Sequence, residues 1–251
     1  MARLMKSDLI RVFHETDSTR VVLDDAAHHN KLSAELVEEL IGVVEDLNTN
    51  PTGRLTIEGS HATFCAGFDL DGLKDLTNEL LAWRFLRIGY LLELLYAYPG
   101  VTVAVARGPA IGAGADIFAA CDIRVASPSV YFRFPGAQFG VILGSRRLVS
   151  LVGGAAAAQW ITVGNTINSA SALNVGLVTH LRDLTNADVE TIALELLPSI
   201  NQRRARQVAA LMNRPEPGVG LADLAMSINL STDLKAQMLT YINLRLRDRK
   251  D

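Results

Sequence analysis

The chain has 251 residues, of which 49% are hydrophobic and 20% are charged, and its formal net charge is −3. This composition is typical of a globular protein that buries a substantial core, and it excludes a disordered chain. Basic residues form only short clusters, which argues against nucleic-acid binding, and the absence of a long apolar run argues against a membrane span or a signal peptide, so we expect a cytoplasmic protein.

The first hundred residues predict two strands, a helix, a third strand and a second helix. Two short apolar and β-branched runs, 9–13 and 20–23, flank polar residues and predict a β-hairpin. Apolar residues recur at helical spacing over 33–47, behind a serine that can cap the first turn. A short strand is predicted at 55–58, and a long helical pattern over about 76–98 ends at a Pro-Gly break.

The middle of the chain repeats this order of elements. Residues 101–106 are small and apolar on both faces, which predicts a buried strand, and 108–114 carries three glycines before another helix. Further strands are predicted at 123–126 and 131–134, followed by a glycine-rich helix over roughly 144–161. Strands that alternate with helices predict βαβ units with a largely parallel sheet, so the fold class is α/β.

Two of the predicted strands end in small residues that lead into a helix. Strand 55–58 leads to residues 65–69, and strand 101–106 leads to residues 112–116. Small residues let a ligand touch the backbone, and the free amides at a helix N-terminus point outward. Two such amides that converge on one oxygen form an oxyanion hole. Either loop alone could serve only close packing, but the presence of both favours the oxyanion hole.

The two cysteines, Cys65 and Cys121, have no metal-ligand spacing and no further partners for a disulfide framework. We therefore expect reduced thiols in the interior and no metal site. The sequence also lacks the motifs of zinc peptidases, of nucleotide-binding Walker loops and of nucleophile-elbow hydrolases.

The residues of the two loops resemble the motifs of the crotonase, or enoyl-CoA hydratase/isomerase, superfamily. The first motif is Phe-Cys-Ala-Gly-Phe-Asp-Leu at 64–70, and the second spans 103–116 and contains Gly-Ala-Gly-Ala-Asp. The likeness extends over about 9–241. It implies a crotonase (ClpP-like) spiral of ββα units as a core domain over 1–190, and a C-terminal helical trimerisation region over 191–251. A homotrimer, often paired into a hexamer, is expected.

The resemblance also implies the ligand and the residues that bind it. The ligand is an acyl-CoA thioester, as in fatty acid metabolism, and coenzyme A enters only as part of the substrate, with no separate cofactor. Carried over position by position, the amides of Phe68 and Ala113 become the oxyanion donors, Asp116 the acid/base, and the Ala66 carbonyl an acceptor for the adenine. The binding residues implied in this way are Ala27, His29, Lys31, Ala66, Gly67, Phe68, Asp69, Leu70, Gly112, Ala113, Pro135, Gly136 and Phe139.

One departure from the family pattern concerns the reaction. Hydratases of the family carry two glutamates, whereas here the first position is Asp116 and the second falls at Gly136, which has no acid. A single carboxylate favours isomerisation, or another single-carboxylate reaction, over hydration. An aspartate in the first turn of a helix is, however, electrostatically favourable even without a catalytic role. A hydrolase or decarboxylase acting on another carbonyl substrate, and a catalytically silent binding protein, are the alternatives.

A second departure concerns the coenzyme A entrance. Where the family often has Asn-Arg-Pro-Lys, residues 24–27 here are Asp-Asp-Ala-Ala, which exchanges cations for anions. His28, His29 and Lys31 could replace the lost cations or form a solvated turn. If they form a turn, a β-diketone hydrolase or another relative that does not use coenzyme A becomes the alternative. His61 is a turn residue or a further candidate.

Residues 132–147 leave two questions open. Its apolar side chains form either the floor of an acyl pocket or ordinary core, and they are Phe132, Phe134, Phe139, Val141, Ile142 and Leu143. Arg146 and Arg147 follow at the start of a helix and face either the pocket or a subunit boundary.

Overall fold

The computed structural model of the chain describes residues 9–60, 62–185, 187–196, 218–231 and 233–247. The strands in these ranges are β1 (Ile10–His14), β2 (Ser18–Leu23), β3 (Arg54–Gly59), β4 (Val101–Ala106), β5 (Ala110–Ile111), β6 (Ile123–Ala126), β7 (Tyr131–Arg133), β8 (Ile167–Asn168) and β9 (His180–Leu181). The helices are α1 (Ala34–Thr49), α2 (Asn78–Ala97), α3 (Ala113–Ala120), α4 (Ser145–Val152), α5 (Gly154–Val163), α6 (Ser169–Asn174), α7 (Val189–Glu195), α8 (Val219–Leu230) and α9 (Leu234–Arg247). His61 and the basic cluster at 203–206 lie outside the described residues.

The larger sheet has six strands in the order β1-β2-β3-β4-β6-β9. Among the described strands of this sheet, only the β1–β2 pair is antiparallel, which confirms the predicted hairpin. The other described pairs are parallel, which confirms the predicted sheet. A smaller sheet has the order β5-β7-β8. Because β3 and β4 are parallel neighbours, the two glycine-containing loops leave the sheet at the same edge.

Helices α1 and α2 cover the larger sheet. Ser33 caps α1 as predicted, since its side chain accepts a hydrogen bond of 3.1 Å from the Leu36 amide. Thr77 caps α2 in the same way, through the Leu80 amide at 3.3 Å. The buried faces of both helices and of the central strands share one apolar cluster, and all eight residues of α3 are buried. Cys65 and Cys121 are both buried and free, as expected.

The single helix predicted over 144–161 is wrong, because this stretch forms two helices, α4 and α5. The break lies at Gly153, whose φ of +81° is incompatible with a helix interior and costs glycine little. The sequence contains Gly153-Gly154 at this point, and the apolar spacing on either side conceals the interruption.

Helices α8 and α9 pack against α2 and the loops beside it. Their contact is a second apolar cluster, formed by Leu73, Leu81, Phe85, Val141, Leu224, Leu234 and Met238. At its centre, Gly89 of α2 lets the helices approach closely, since an added Cβ would lie 2.7 Å from a methyl carbon of Leu224. Within the described ranges, no helix is both long and apolar enough to span a membrane.

Candidate active site

The loops that follow β3 and β4 converge at the edge of the sheet. The Ile111 amide donates to the Cys65 carbonyl at 3.0 Å, and Cys65 forms a parallel bridge with Ala110. Gly67, with φ of +87°, lies so close to the second loop that an added Cβ would overlap the Ile111 carbonyl and lie 3.4 Å from the Ala113 nitrogen. Glycine is therefore required at this position by both its backbone conformation and the space around it.

The two predicted oxyanion donors are unused by the described residues. Ala113 is the first residue of α3, so its amide has no acceptor inside the helix. Leu32 forms a parallel bridge with Phe68 through the residues on either side of Phe68. The Leu32 amide donates to the Gly67 carbonyl and the Asp69 amide donates to the Leu32 carbonyl, so the Phe68 amide takes no part in these hydrogen bonds. Phe68 and Ala113 both line one cavity.

The cavity beside these loops has a volume of about 140 Å³. The predicted binding residues that line it are Ala66, Gly67, Phe68, Leu70, Gly112, Ala113, Pro135, Gly136 and Phe139. Ala27, His29, Lys31 and Asp69 lie outside this lining. Most of the lining side chains are apolar, and the polar or charged ones are Asp116, Ser145 and Tyr241.

Asp116 is the only carboxyl group among the described residues that line the cavity. Its side chain extends from α3, the residue is 7% exposed, and the carboxylate accepts a hydrogen bond from the Gly144 amide. Burial raises the pKa of Asp116 to about 7, and the bond from Gly144 opposes this shift only in part. The carboxylate packs directly on Gly144, where an added Cβ would overlap it.

Gly136 occupies the wall of the cavity where the family pattern would place a second acid. It begins the short 3₁₀ helix Gly136–Phe139, and its carbonyl accepts the Val141 amide at 3.0 Å. An added Cβ at Gly136 would lie 3.0 Å from the Val141 carbonyl oxygen, which is a tight contact. The described residues that line the cavity thus include two whose amides lack an acceptor, Phe68 and Ala113, and one that has a carboxyl group, Asp116.

The apolar stretch 132–143 divides between the cavity and the rest of the molecule. Phe134, Phe139, Val141 and Leu143 line the cavity. Phe132 instead packs in the core, with its ring centroid 4.9 Å from that of Phe118, and Ile142 is exposed.

Several lining residues were not predicted, and they are Phe85, Ile111, Ala137, Ser145, Ile161 and Tyr241. Tyr241 comes from α9 at the far end of the chain, and no local pattern in the sequence connects it with the loops after β3 and β4.

Two side chains predicted at the coenzyme A entrance, His28 and Lys31, contact nearby carboxylates. Lys31 contacts Asp69 at 3.2 Å and Asp71 at 2.5 Å. Partial burial disfavours the charge of Lys31, but the bonds to Asp71 and Asp69 outweigh this effect and raise its pKa. His28 contacts Asp25 at 2.8 Å. Lys31 is therefore held by two carboxylates at this rim of the molecule.

Arg146 and Arg147, which were predicted to face either the pocket or a subunit boundary, are not among the residues that line the cavity. Arg146 forms an ion pair with Asp223 of α8. Arg147 is buried and donates to the Ala119 carbonyl at 3.3 Å. Both arginines therefore connect α4 to other helices of the same chain.

Comparison with known proteins identifies the family that this chain matches. The sequence profile of the enoyl-CoA hydratase/isomerase family matches residues 17–239. A Bacillus subtilis protein named as a candidate enoyl-CoA hydratase/isomerase is 30% identical over 212 residues, which are 82% of this chain and 76% of that protein. Xenopus laevis ethylmalonyl-CoA decarboxylase is 28% identical over 174 residues, which are 67% of this chain and 58% of the decarboxylase.

A solved structure with a similar fold is described with the same family name. The crystal structure of a Bordetella parapertussis protein, described as a candidate enoyl-CoA hydratase/isomerase, superimposes on this chain with a TM-score of 0.83. The superposition covers 94% of this chain and 99% of that one, at 29% sequence identity.

Proposed function

Because the chain belongs to the enoyl-CoA hydratase/isomerase family of enzymes and has the crotonase fold, we propose that it acts on an acyl-CoA thioester through an enolate and moves a double bond. One observation carries this proposal: two free amides and a single carboxyl group share one small, mostly apolar cavity. This combination matches isomerisation, which needs one group that takes a proton and returns it.

The proposed mechanism begins at the thioester carbonyl. Its oxygen accepts hydrogen bonds from the Phe68 and Ala113 amides, which stabilise the negative charge that develops on it. Each such donor typically stabilises the transition state by roughly 2.7–4 kcal/mol. The neighbouring carbon thereby becomes acidic enough for Asp116 to take its proton and return it two carbons further along. No metal or separate cofactor is needed, because the two amides supply the polarisation.

Hydration is the less favoured reaction. Adding water across a double bond requires an acid and a base that hold and activate one water molecule. The second of these positions is Gly136, which has no side chain to hold water, and no other described residue of the lining supplies a carboxylate. Asp116 alone can transfer a proton between two carbons.

Decarboxylation is the second candidate, favoured by the similarity to an ethylmalonyl-CoA decarboxylase. Loss of carbon dioxide from a 2-carboxyacyl thioester leaves an enolate, which the same two amides would stabilise. Asp116 in its protonated form would then deliver a proton to the carbon. A carboxyl group whose pKa is about 7 is present in both forms near neutral pH, so it suits either reaction.

Coenzyme A is proposed to bind along the first loop. In this proposal the Ala66 carbonyl accepts from the adenine, Gly67, Asp69 and Leu70 lie beside it, and Ala27, His29 and Lys31 lie at the entrance. The Lys31 contacts with Asp69 and Asp71 would have to rearrange for its ammonium group to meet a phosphate. A homotrimer or hexamer stays a prediction from the family resemblance, and a cytoplasmic location stays a prediction from the sequence.

Assays of three reactions test this proposal: isomerisation of a 3-enoyl-CoA, hydration of crotonyl-CoA and decarboxylation of ethylmalonyl-CoA. We expect isomerisation to be fastest and Asp116→Asn to lower its rate about 10²- to 10⁴-fold, with thioester binding retained. Asp75→Asn, which changes an exposed aspartate outside the cavity lining, is the matched control. Unchanged turnover in Asp116→Asn would remove this carboxylate from the mechanism, and bound thioester without turnover of any substrate would indicate a binding protein.

A further inference from the structure

Tyr241 of α9 lies between the cavity and a second, open space. It lines both the cavity of about 140 Å³ and a neighbouring groove of about 660 Å³ that runs along α9. Other residues of the groove are Gln138, Val163, Leu244 and Arg245. We propose that the Tyr241 ring is the end wall of the acyl site and thereby sets the longest acyl chain that the enzyme accepts. This inference rests on the proposed function.

A row of aromatic rings leads from the proposed oxyanion hole to Tyr241. The ring centroids of Phe68 and Phe85 are 4.4 Å apart, those of Phe85 and Phe139 are 6.3 Å apart, and those of Phe139 and Tyr241 are 5.4 Å apart. Phe68 supplies one of the two free amides, so the row begins at the carbonyl end of the substrate. An acyl chain that leaves the thioester along this apolar wall meets Tyr241 at its far end.

The Tyr241 ring is held in place by its neighbours. Phe139 packs on it from the cavity side, and the Arg245 guanidinium lies 5.7 Å from its centroid, within the range of a cation–π contact. The positive charge of Arg133 faces its hydroxyl. Because three groups fix the ring, we expect it to act as a wall and not as a freely rotating side chain.

The cavity volume indicates a short acyl group. A volume of about 140 Å³ lies below the roughly 300–1,000 Å³ of pockets for larger ligands. Removal of the Tyr241 ring would join the cavity to the groove. The exposed side chains of Val163 and Leu244 could then contact the additional methylene groups of a longer chain.

The test measures the dissociation constants of saturated acyl-CoA thioesters, from butyryl to dodecanoyl, by titration calorimetry. Each methylene group that becomes buried strengthens binding about fourfold. We expect the unmodified protein to gain affinity only over the first few carbons. Tyr241→Ala should bind dodecanoyl-CoA at least about tenfold more tightly than the unmodified protein does, with butyryl-CoA affected less than about threefold.

Two further variants separate the ring from other effects. Tyr241→Phe keeps the ring and should retain the original chain-length profile, and Leu244→Ala changes a groove residue outside the cavity lining and should also retain it. Tyr241→Leu replaces the alanine variant if that variant has lost helicity. An unchanged profile in Tyr241→Ala or Tyr241→Leu would overturn the proposal for Tyr241 alone, whereas failure of every protein to bind any thioester would overturn the proposed function as well.

Discussion

At Asp116, two opposing influences set the charge of one carboxyl group. Burial favours the neutral form, and the hydrogen bond from the Gly144 amide favours the carboxylate. Burial is the stronger influence, so the pKa rises to about 7. A group with this pKa can accept and donate a proton at neutral pH at comparable free-energy cost, which is the property that acid/base catalysis requires.

The pH dependence of activity follows from this pKa. Isomerisation begins with removal of a proton by the carboxylate, so kcat/KM should rise through about pH 7 and level off above it. A stopped-time assay between pH 5.5 and pH 8.5 measures the profile. The decarboxylation alternative predicts the opposite slope, because the protonated carboxyl group must deliver the proton. A flat profile across this window would contradict both roles of Asp116.

The same pKa has a consequence for stability. Because the folded-state pKa lies above that of the unfolded chain, the folded protein binds more protons between about pH 4 and pH 7, and the free energy of unfolding falls as pH rises through this window. Asp116→Asn removes this effect. Between pH 5 and pH 8, the free energy of unfolding of the variant should rise by about 3 kcal/mol relative to that of the unmodified protein, as measured by urea denaturation. Parallel stability curves for the two proteins would show that burial does not raise this pKa.

Among the structural elements, the loops after β3 and β4 depend on glycine at their point of contact. At Gly67, a φ of +87° and the contact with the Ile111 carbonyl both exclude a larger residue. Gly67→Ala should therefore lower the free energy of unfolding by about 2 kcal/mol or more and displace the Phe68 amide, with a loss of activity. Gly42→Ala is the matched control.

Gly42 lies within α1, and an added Cβ there would meet nothing within 4 Å. Alanine at this position should stabilise the helix by about 0.5–1 kcal/mol and leave activity unchanged. Urea denaturation and the isomerase assay distinguish the two variants. If Gly67→Ala had the same stability and activity as Gly42→Ala, the loops could not be in the close contact described at Gly67.

Elements that depend on local patterns could be predicted from the sequence. Ser33 marks the start of α1 because capping involves residues three positions apart, and the parallel sheet followed from alternating strands and helices. The break at Gly153 has a local signal, the Gly153-Gly154 pair, but apolar residues at helical spacing on both sides of the pair favoured a continuous helix. The contact of Gly144 with Asp116, and the position of Tyr241 in the cavity, depend on tertiary packing between distant segments.

At the scale of the whole molecule, the C-terminal helices complete the cavity and pack on its supporting helix. Leu224 of α8 is fully buried against α2 at Gly89, and Tyr241 of α9 lines the cavity. These contacts lead us to expect that α8 and α9, which belong to the region predicted over 191–251, contribute to the stability of the core. The division of the chain at residue 190 stays a prediction.

Substitution of Leu224 tests this dependence. Leu224→Ala should lower the free energy of unfolding by about 2–5 kcal/mol, because it leaves a cavity between α8 and α2. The exposed residue Leu230 of the same helix is the control, and its replacement by alanine should change the value by less than about 0.5 kcal/mol. Tryptophan fluorescence reports mainly on Trp83 in α2 and Trp160 in α5. An unchanged fluorescence transition in Leu224→Ala would mean that α8 is energetically independent of the core.

The most direct test of the proposed enolate is hydrogen exchange at the carbon next to the thioester. Butyryl-CoA is incubated with the protein in D₂O, and deuterium at that carbon is followed by NMR. Polarisation by the Phe68 and Ala113 amides, with Asp116 as the base, predicts exchange well above the rate in buffer and its loss in Asp116→Asn. Exchange at the buffer rate, or equal exchange with and without the Asp116 carboxylate, would contradict the proposed mechanism.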